Sequence, residues 1–110
     1  METKSFKTYK QEPVSGNDPK SMVIFLHGWG SHGQDLIGLA PLFAKALPDT
    51  IFLSPDAPYQ CDMNPMGFQW FSLQDPSYAK RIKGAAATAP LVEHYIKTQS
   101  EEYNLSLIHI

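Results

Sequence analysis

The stretch from residue 25 to 33, FLHGWGSHG, concentrates more potential chemistry than any other part of this sequence. Gly28, Gly30 and Gly33 stand in a literal G-x-G-x-x-G, the spacing that brings a pyrophosphate against a loop backbone and the start of the following helix. The same glycines suit a second chemistry. In acyl transfer a tetrahedral intermediate carries negative charge on the former carbonyl oxygen, and backbone N–H groups fixed in a water-poor pocket stabilise it. Gly28 and Gly30 let the chain turn so that the Trp29 N–H faces such a pocket. His27 would then hold the loop by hydrogen bonds instead of acting as a base; an ordinary buried core histidine is the plainer alternative.

The two readings make different demands. A dinucleotide site needs a strand before the glycines, a helix opening on the third, and an acid about 20 residues on, at the end of the next strand. Asp56 has roughly the right distance, but it follows Ser54 and Pro55, where a ribose is poorly met. Trp29 also places an indole where a phosphate-binding turn stays slim. A nicotinamide-dependent oxidoreductase is therefore kept as an alternative. Serine-based acyl transfer needs a nucleophile on a G-x-S-x-G turn, and no serine of the chain stands in one. Ser31 has Gly33 two residues after it but Trp29 two before, and adjacency to His32 does not by itself make a catalytic pair. His27, His32 and Asp35 lack the spacing of a zinc site. His94, beside Glu93, reads as a surface residue.

The elements that must position this loop can be read from the apolar pattern. Residues 22–26, MVIFL, predict a strand buried on both faces, because they are apolar without alternation. Asp35 is expected to cap a helix whose apolar stripe is Leu36, Leu39, Leu42, Phe43 and Leu47, kinked or split at Pro41. Residues 51–53 predict a second buried strand, stopped by SPDAP. A long irregular stretch over 59–76 carries Met63, Met66, Phe68, Trp70 and Phe71; its length marks it as functional and its aromatic content argues against disorder. Residues 77–103 return to helical spacing, with Gly84 and Pro90 expected to interrupt the front half. In the polar segment 1–21, residues 5–10 predict an edge strand or a solvated arm. Strand, helix, strand, loop and helix in that order imply an α/β fold with a parallel sheet and right-handed crossovers.

Composition narrows the function classes. The chain has 110 residues, enough for one domain with a modest core, and a net charge of −2 that gives no electrostatic reason to expect nucleic acid or an anionic membrane as partner. A single cysteine, Cys61, excludes an intrachain disulfide. Nothing near the N-terminus is long enough for a secretory h-region, and no run approaches a membrane span, so a cytoplasmic protein is expected.

Taken together, VIFLHGWGSHGQDLIGLAPLFAKALPDTIFLSPDAP and the later MGFQWFSLQD resemble the N-terminal half of the phospholipase/carboxylesterase family. These are small α/β-hydrolases that include bacterial esterases and acyl-protein thioesterases. LHGxG alone is shared by many hydrolases; LHGxG, DLIGLAP, SPDAP and QWFSLQD in this order are specific. The resemblance covers about residues 22–104. It implies that the Trp29 backbone N–H is an oxyanion donor supported by His27, Gly28 and Gly30, and that Met66, Phe68, Trp70 and Phe71 lie where an acyl chain binds. For Trp70 and Phe71 core packing is an equal alternative. It implies a small-molecule ester or thioester substrate, with a lipid or an acyl-protein among the candidates, and no cofactor. In the family the nucleophile strand follows the helix that ends near residue 104. Residues 105–110, LSLIHI, instead match the translation of a transposon end used in sequencing libraries, and read as a non-native tail on residues 1–104. The triad serine, aspartate and histidine are thus expected outside this chain, which would be inactive by itself. A non-catalytic binding protein on a hydrolase scaffold is the third alternative.

Overall fold

The structure is a computed structural model that describes residues 6–105. The expectations placed on residues 1–5 and 106–110, the start of the polar arm and nearly all of LSLIHI, lie outside the described residues.

The centre of the fold is β3 (Thr50–Pro55), in which all six residues are buried. Its apolar core, Ile51, Phe52 and Leu53, is 0–1% exposed, and each such side chain removed from water contributes about 1.5–3 kcal/mol. On one side β1 (Thr8–Gln11) pairs with it antiparallel, Thr8 opposite Pro55. On the other β2 (Ser21–Ile24) pairs parallel, Ser21 opposite Thr50, with their two hydroxyls 2.6 Å apart. The order β1-β3-β2 therefore makes a mixed sheet, in which β2 and β3 are parallel as expected and the edge strand β1 adds an antiparallel pair. The N-terminal edge strand exists, at Thr8–Gln11, starting three residues later and ending one later than the sequence suggests.

β2 departs from expectation in a more telling way. Its residues run from exposed to half-buried, and Leu26 just beyond it is 47% exposed. An unalternating apolar run is buried on both faces only where neighbours supply both covers, and β2 is the edge of the described sheet.

The expected helix after the glycine loop is split. α1 (Gly33–Ile37) and α2 (Ala40–Ala44) are five residues each, Pro41 taking an early position of α2, where its missing N–H costs nothing. The break turns the small residues Ala40 and Ala44 onto Phe52, leaving Leu39, Leu42, Phe43 and Leu47 exposed rather than buried as a stripe. Asp35 is not the cap. His32 is, its Nδ1 accepting from the Asp35 N–H at 3.1 Å, with Asp35 inside the first turn.

α3 (Tyr78–Glu102) is one continuous helix of 25 residues, capped by Ser77, whose hydroxyl accepts from the Lys80 N–H. The interruptions expected at Gly84 and Pro90 do not occur. Pro90 and Ala86, whose carbonyl loses its helical partner there, both stand on the exposed side, which lowers the cost of the missing bond. Gly84 serves close packing: a Cβ there would come within 2.8 Å of the Phe71 ring. Near its far end Tyr95 stacks on Phe6 at 5.3 Å and its hydroxyl meets Thr8 Oγ1 at 2.8 Å, joining α3 to β1.

Candidate active site

The loop between β2 and α1 is held from beneath by the end of β3. Ser54 Oγ donates to the Gly33 carbonyl at 2.7 Å, and Asp56 Oδ1 accepts from the Gly33 N–H at 2.7 Å. Both side chains are buried, and the packing is so close that a Cβ on Gly33 would collide with the Ser54 carbonyl. Asp56 is thus spent inside the protein. The N–H at the start of α1, which a pyrophosphate would need, is already satisfied by a carboxylate, and the structure gives the dinucleotide reading no acidic residue for a ribose.

His27 is 3% exposed and uses both ring nitrogens locally. The Ala57 N–H donates to Nε2 at 3.0 Å, so the ring proton sits on Nδ1 and is donated to the Gly28 carbonyl at 2.7 Å. An imidazole bonded in this way has no free nitrogen to act as a base. Ser31 and His32 do not face each other either; Ser31 Oγ donates to Asp35 Oδ2 and His32 caps α1.

From above, the loop is gripped by a feature that periodicity missed. Within the long stretch over 59–76, β4 (Tyr59–Gln60) and β5 (Phe68–Gln69) form a two-stranded antiparallel ribbon, Gln60 opposite Phe68. The Gly30 N–H donates to the Phe68 carbonyl at 3.0 Å and the Phe68 N–H to the Ser31 carbonyl at 2.8 Å. Asn64 Nδ2 donates to the Gly30 carbonyl at 2.9 Å. Gly30 has φ +84°, a conformation that favours glycine, and a Cβ on Gly67 would run into the Gly30 carbonyl. Two-residue strands have no readable alternation; the pair of facing glycines was the available signal.

Between these two grips lie Gly28 and Trp29. Among the described residues no hydrogen bond uses either N–H, although the carbonyls of His27, Gly28 and Gly30 are all engaged. Two successive open N–H groups on a backbone fixed at both ends can receive a developing negative charge without reorganising.

The four expected substrate residues do not converge. Trp70 and Phe71 line a cavity of about 360 Å³ together with Leu26, His27 and the α3 residues Ala85, Thr88, Ala89 and Val92. Trp70 Nε1 donates to the His27 carbonyl at 2.9 Å, and Thr88 Oγ1 to the Trp70 carbonyl at 2.6 Å. Met66, at the ribbon tip, is 82% exposed, and Phe68 is half-buried; neither reaches that cavity.

A sequence model of the phospholipase/carboxylesterase family matches residues 11–107. This chain belongs to that family. Among solved structures, the crystal structure of esterase PE8 superposes with a TM-score of 0.85 at 34% identity, over 92% of this chain and 47% of that one. The fold is accordingly that of an α/β-hydrolase, and the chain spans about half the length of this esterase. No helix of the described residues is long and apolar enough to cross a membrane.

Proposed function

We propose that these residues form the oxyanion side of a serine hydrolase that cleaves carboxylic esters or thioesters of small or lipid-like acyl substrates through an acyl-serine intermediate. The observation that carries this reading is the open Trp29 N–H on a backbone pinned from both sides, in a chain of the phospholipase/carboxylesterase family. The serine attacks the carbonyl carbon, the oxygen gains charge against the Trp29 N–H, the alcohol or thiol leaves, and water releases the acid. The nucleophile, its histidine and its aspartate are proposed to come from sequence outside these 110 residues, because no serine here stands on a G-x-S-x-G turn. The exposed Met66 and the half-buried Phe68 border the acyl entrance. Trp70 and Phe71 instead hold the loop to α3, a reading supported by the bonds of Trp70 with His27 and Thr88 and by the close approach of Gly84 to Phe71. The proposal extends to a cytoplasmic location, in which the buried Cys61 thiol stays reduced.

The test is fluorophosphonate labelling of the full-length protein alongside hydrolysis of a graded series of acyl esters and thioesters. One labelled serine with turnover is expected, and the 110-residue polypeptide alone should show neither. Replacing the residue 28–29 amide by an ester, which removes the Trp29 N–H and also weakens the Gly28 carbonyl as an acceptor for His27 and Ser31, should lower kcat about a hundredfold or more. A full-length protein that neither labels nor turns over any substrate is a binding protein on a hydrolase scaffold, and the reading fails.

A further inference from the structure

The Trp29 side chain is anchored separately from its backbone. Its Nε1–H donates to Gln69 Oε1 at 2.8 Å, and the same oxygen accepts from the Asp62 N–H at 3.2 Å. Gln69 is 40 residues away in sequence and lies at the end of β5, opposite Tyr59. An indole that is 37% exposed has no packing need for such a partner; a free indole N–H at that exposure is satisfied by water. The bond therefore selects a position for the ring, and does not rescue a buried donor.

That position matters because of where the ring is attached. If the Trp29 N–H meets the carbonyl oxygen of a substrate, the side chain of the same residue stands within a few ångströms of the reacting carbon, on its acyl or its leaving-group side. The backbone at Gly30 and Ser31 is meanwhile fixed by Phe68 and Asn64, independently of the indole. Donor and ring thus have separate supports on one ribbon. We propose that Gln69 is a specificity-determining positioning residue: by holding the Trp29 indole back against the β4–β5 ribbon it sets which acyl or leaving groups reach the oxyanion donor. This inference rests on the hydrolase reading above.

The experiment uses the full-length protein and three forms of residue 69: the native glutamine, Gln69→Glu, which keeps an acceptor oxygen at the same reach, and Gln69→Met, which keeps the length but offers the indole no oxygen. Two quantities are read: hydrogen exchange of the ¹⁵N-labelled Trp29 indole, and KM and kcat over a short-to-long acyl ester series. For Gln69→Met the indole N–H should lose protection and the ratio of KM between long and short esters should move roughly three- to tenfold, the range one neutral hydrogen bond controls. The change should fall on KM more than on kcat, and Gln69→Glu should restore both readings. Unchanged indole exchange in Gln69→Met would show that the bond is not made in solution. Altered exchange with an unmoved KM ratio would leave the latch real and remove its role in selection; either result overturns the proposal. A native protein that shows indole protection but no turnover and no fluorophosphonate label instead sinks the hydrolase reading, and the specificity role with it.

Discussion

The two flanks of β2 are built to different degrees of completion. On the loop flank every backbone carbonyl from His27 to Ser31 but that of Trp29 accepts a hydrogen bond, from the loop itself, the ribbon or Trp70. On the α3 flank the described residues leave the cavity over Leu26 and Phe71, an edge strand of apolar residues, and a helix of which only Thr88, Tyr95 and Ser100 are buried. Polar groups of a turn must be satisfied locally, because an unpaired buried N–H or C=O costs about 1–3 kcal/mol. Apolar faces can wait for a partner supplied from elsewhere. The loop after β2 is therefore pinned within these residues, whereas the α3 flank keeps an apolar cavity among the described residues.

The contrast can be broken most severely at Gly67. Gly67→Ala drives a methyl into the Gly30 carbonyl, backbone against backbone with no flexible end to give way, and is expected to cost about 2–3 kcal/mol with loss of the esterase activity proposed for the full-length protein. Urea denaturation reads the first; a midpoint equal to that of the parent would refute the tight grip. Asp56→Ala comes next. It leaves the buried Gly33 N–H without its acceptor, and about 1–3 kcal/mol is expected, measured in the same way. Gly84→Ala is the matching substitution on the α3 flank. Its methyl meets the Phe71 ring, a side chain that can turn aside, and alanine gains about 1 kcal/mol of helix propensity. The net change should stay within about 1 kcal/mol; a loss as large as that of Gly67→Ala would mean that the two flanks are equally rigid.

The smallest effect lies away from both. The Ser15 hydroxyl donates to Asp49 Oδ1 at 2.6 Å and, with the Lys20 charge adding to it against some desolvation, holds the Asp49 carboxyl below its usual value. The associated stability is present in full above the unfolded carboxylate value of about 3.9 and is lost as pH falls through the lower folded value. Ser15→Ala should raise the Asp49 titration midpoint in an NMR pH series and remove a small contribution to stability at neutral pH that is already absent once Asp49 is protonated. A midpoint that does not move would assign the shift to Lys20 and Asn17.

The same contrast explains what could be read in advance. MVIFL, the glycine loop, SPDAP and QWFSLQD announced the α/β-hydrolase fold because each block answers a local demand: a buried strand, a sharp turn, a strand end, an aromatic brace. Three features were hidden. His32 in place of Asp35 at the helix start depends on a rotamer that no spacing records. The ribbon over residues 59–69 depends on Gly30 and Gly67 meeting across the fold. The half-exposure of β2 depends on which strand lies beside it, and that is a property of neighbours, whatever its own residues are. Pro90 misled for the opposite reason: a local penalty was read as decisive although the freed carbonyl stands on an exposed face.

The contact between Gly30 and Gly67 has a bearing on how this loop can be inherited or redesigned. Gly67 cannot acquire a side chain while the Gly30 carbonyl stays in place, and Gly30, at φ +84°, is held to glycine by its own backbone, so two separate constraints meet at one contact between positions 37 apart in sequence. Met63 and Met66, exposed at the ribbon tip, carry no such obligation, whereas Asn64 between them donates to the Gly30 carbonyl. Change around this loop is thus channelled into the side chains of Met63 and Met66, which a lineage, or a designer, can replace while the backbone beneath is passed on unaltered.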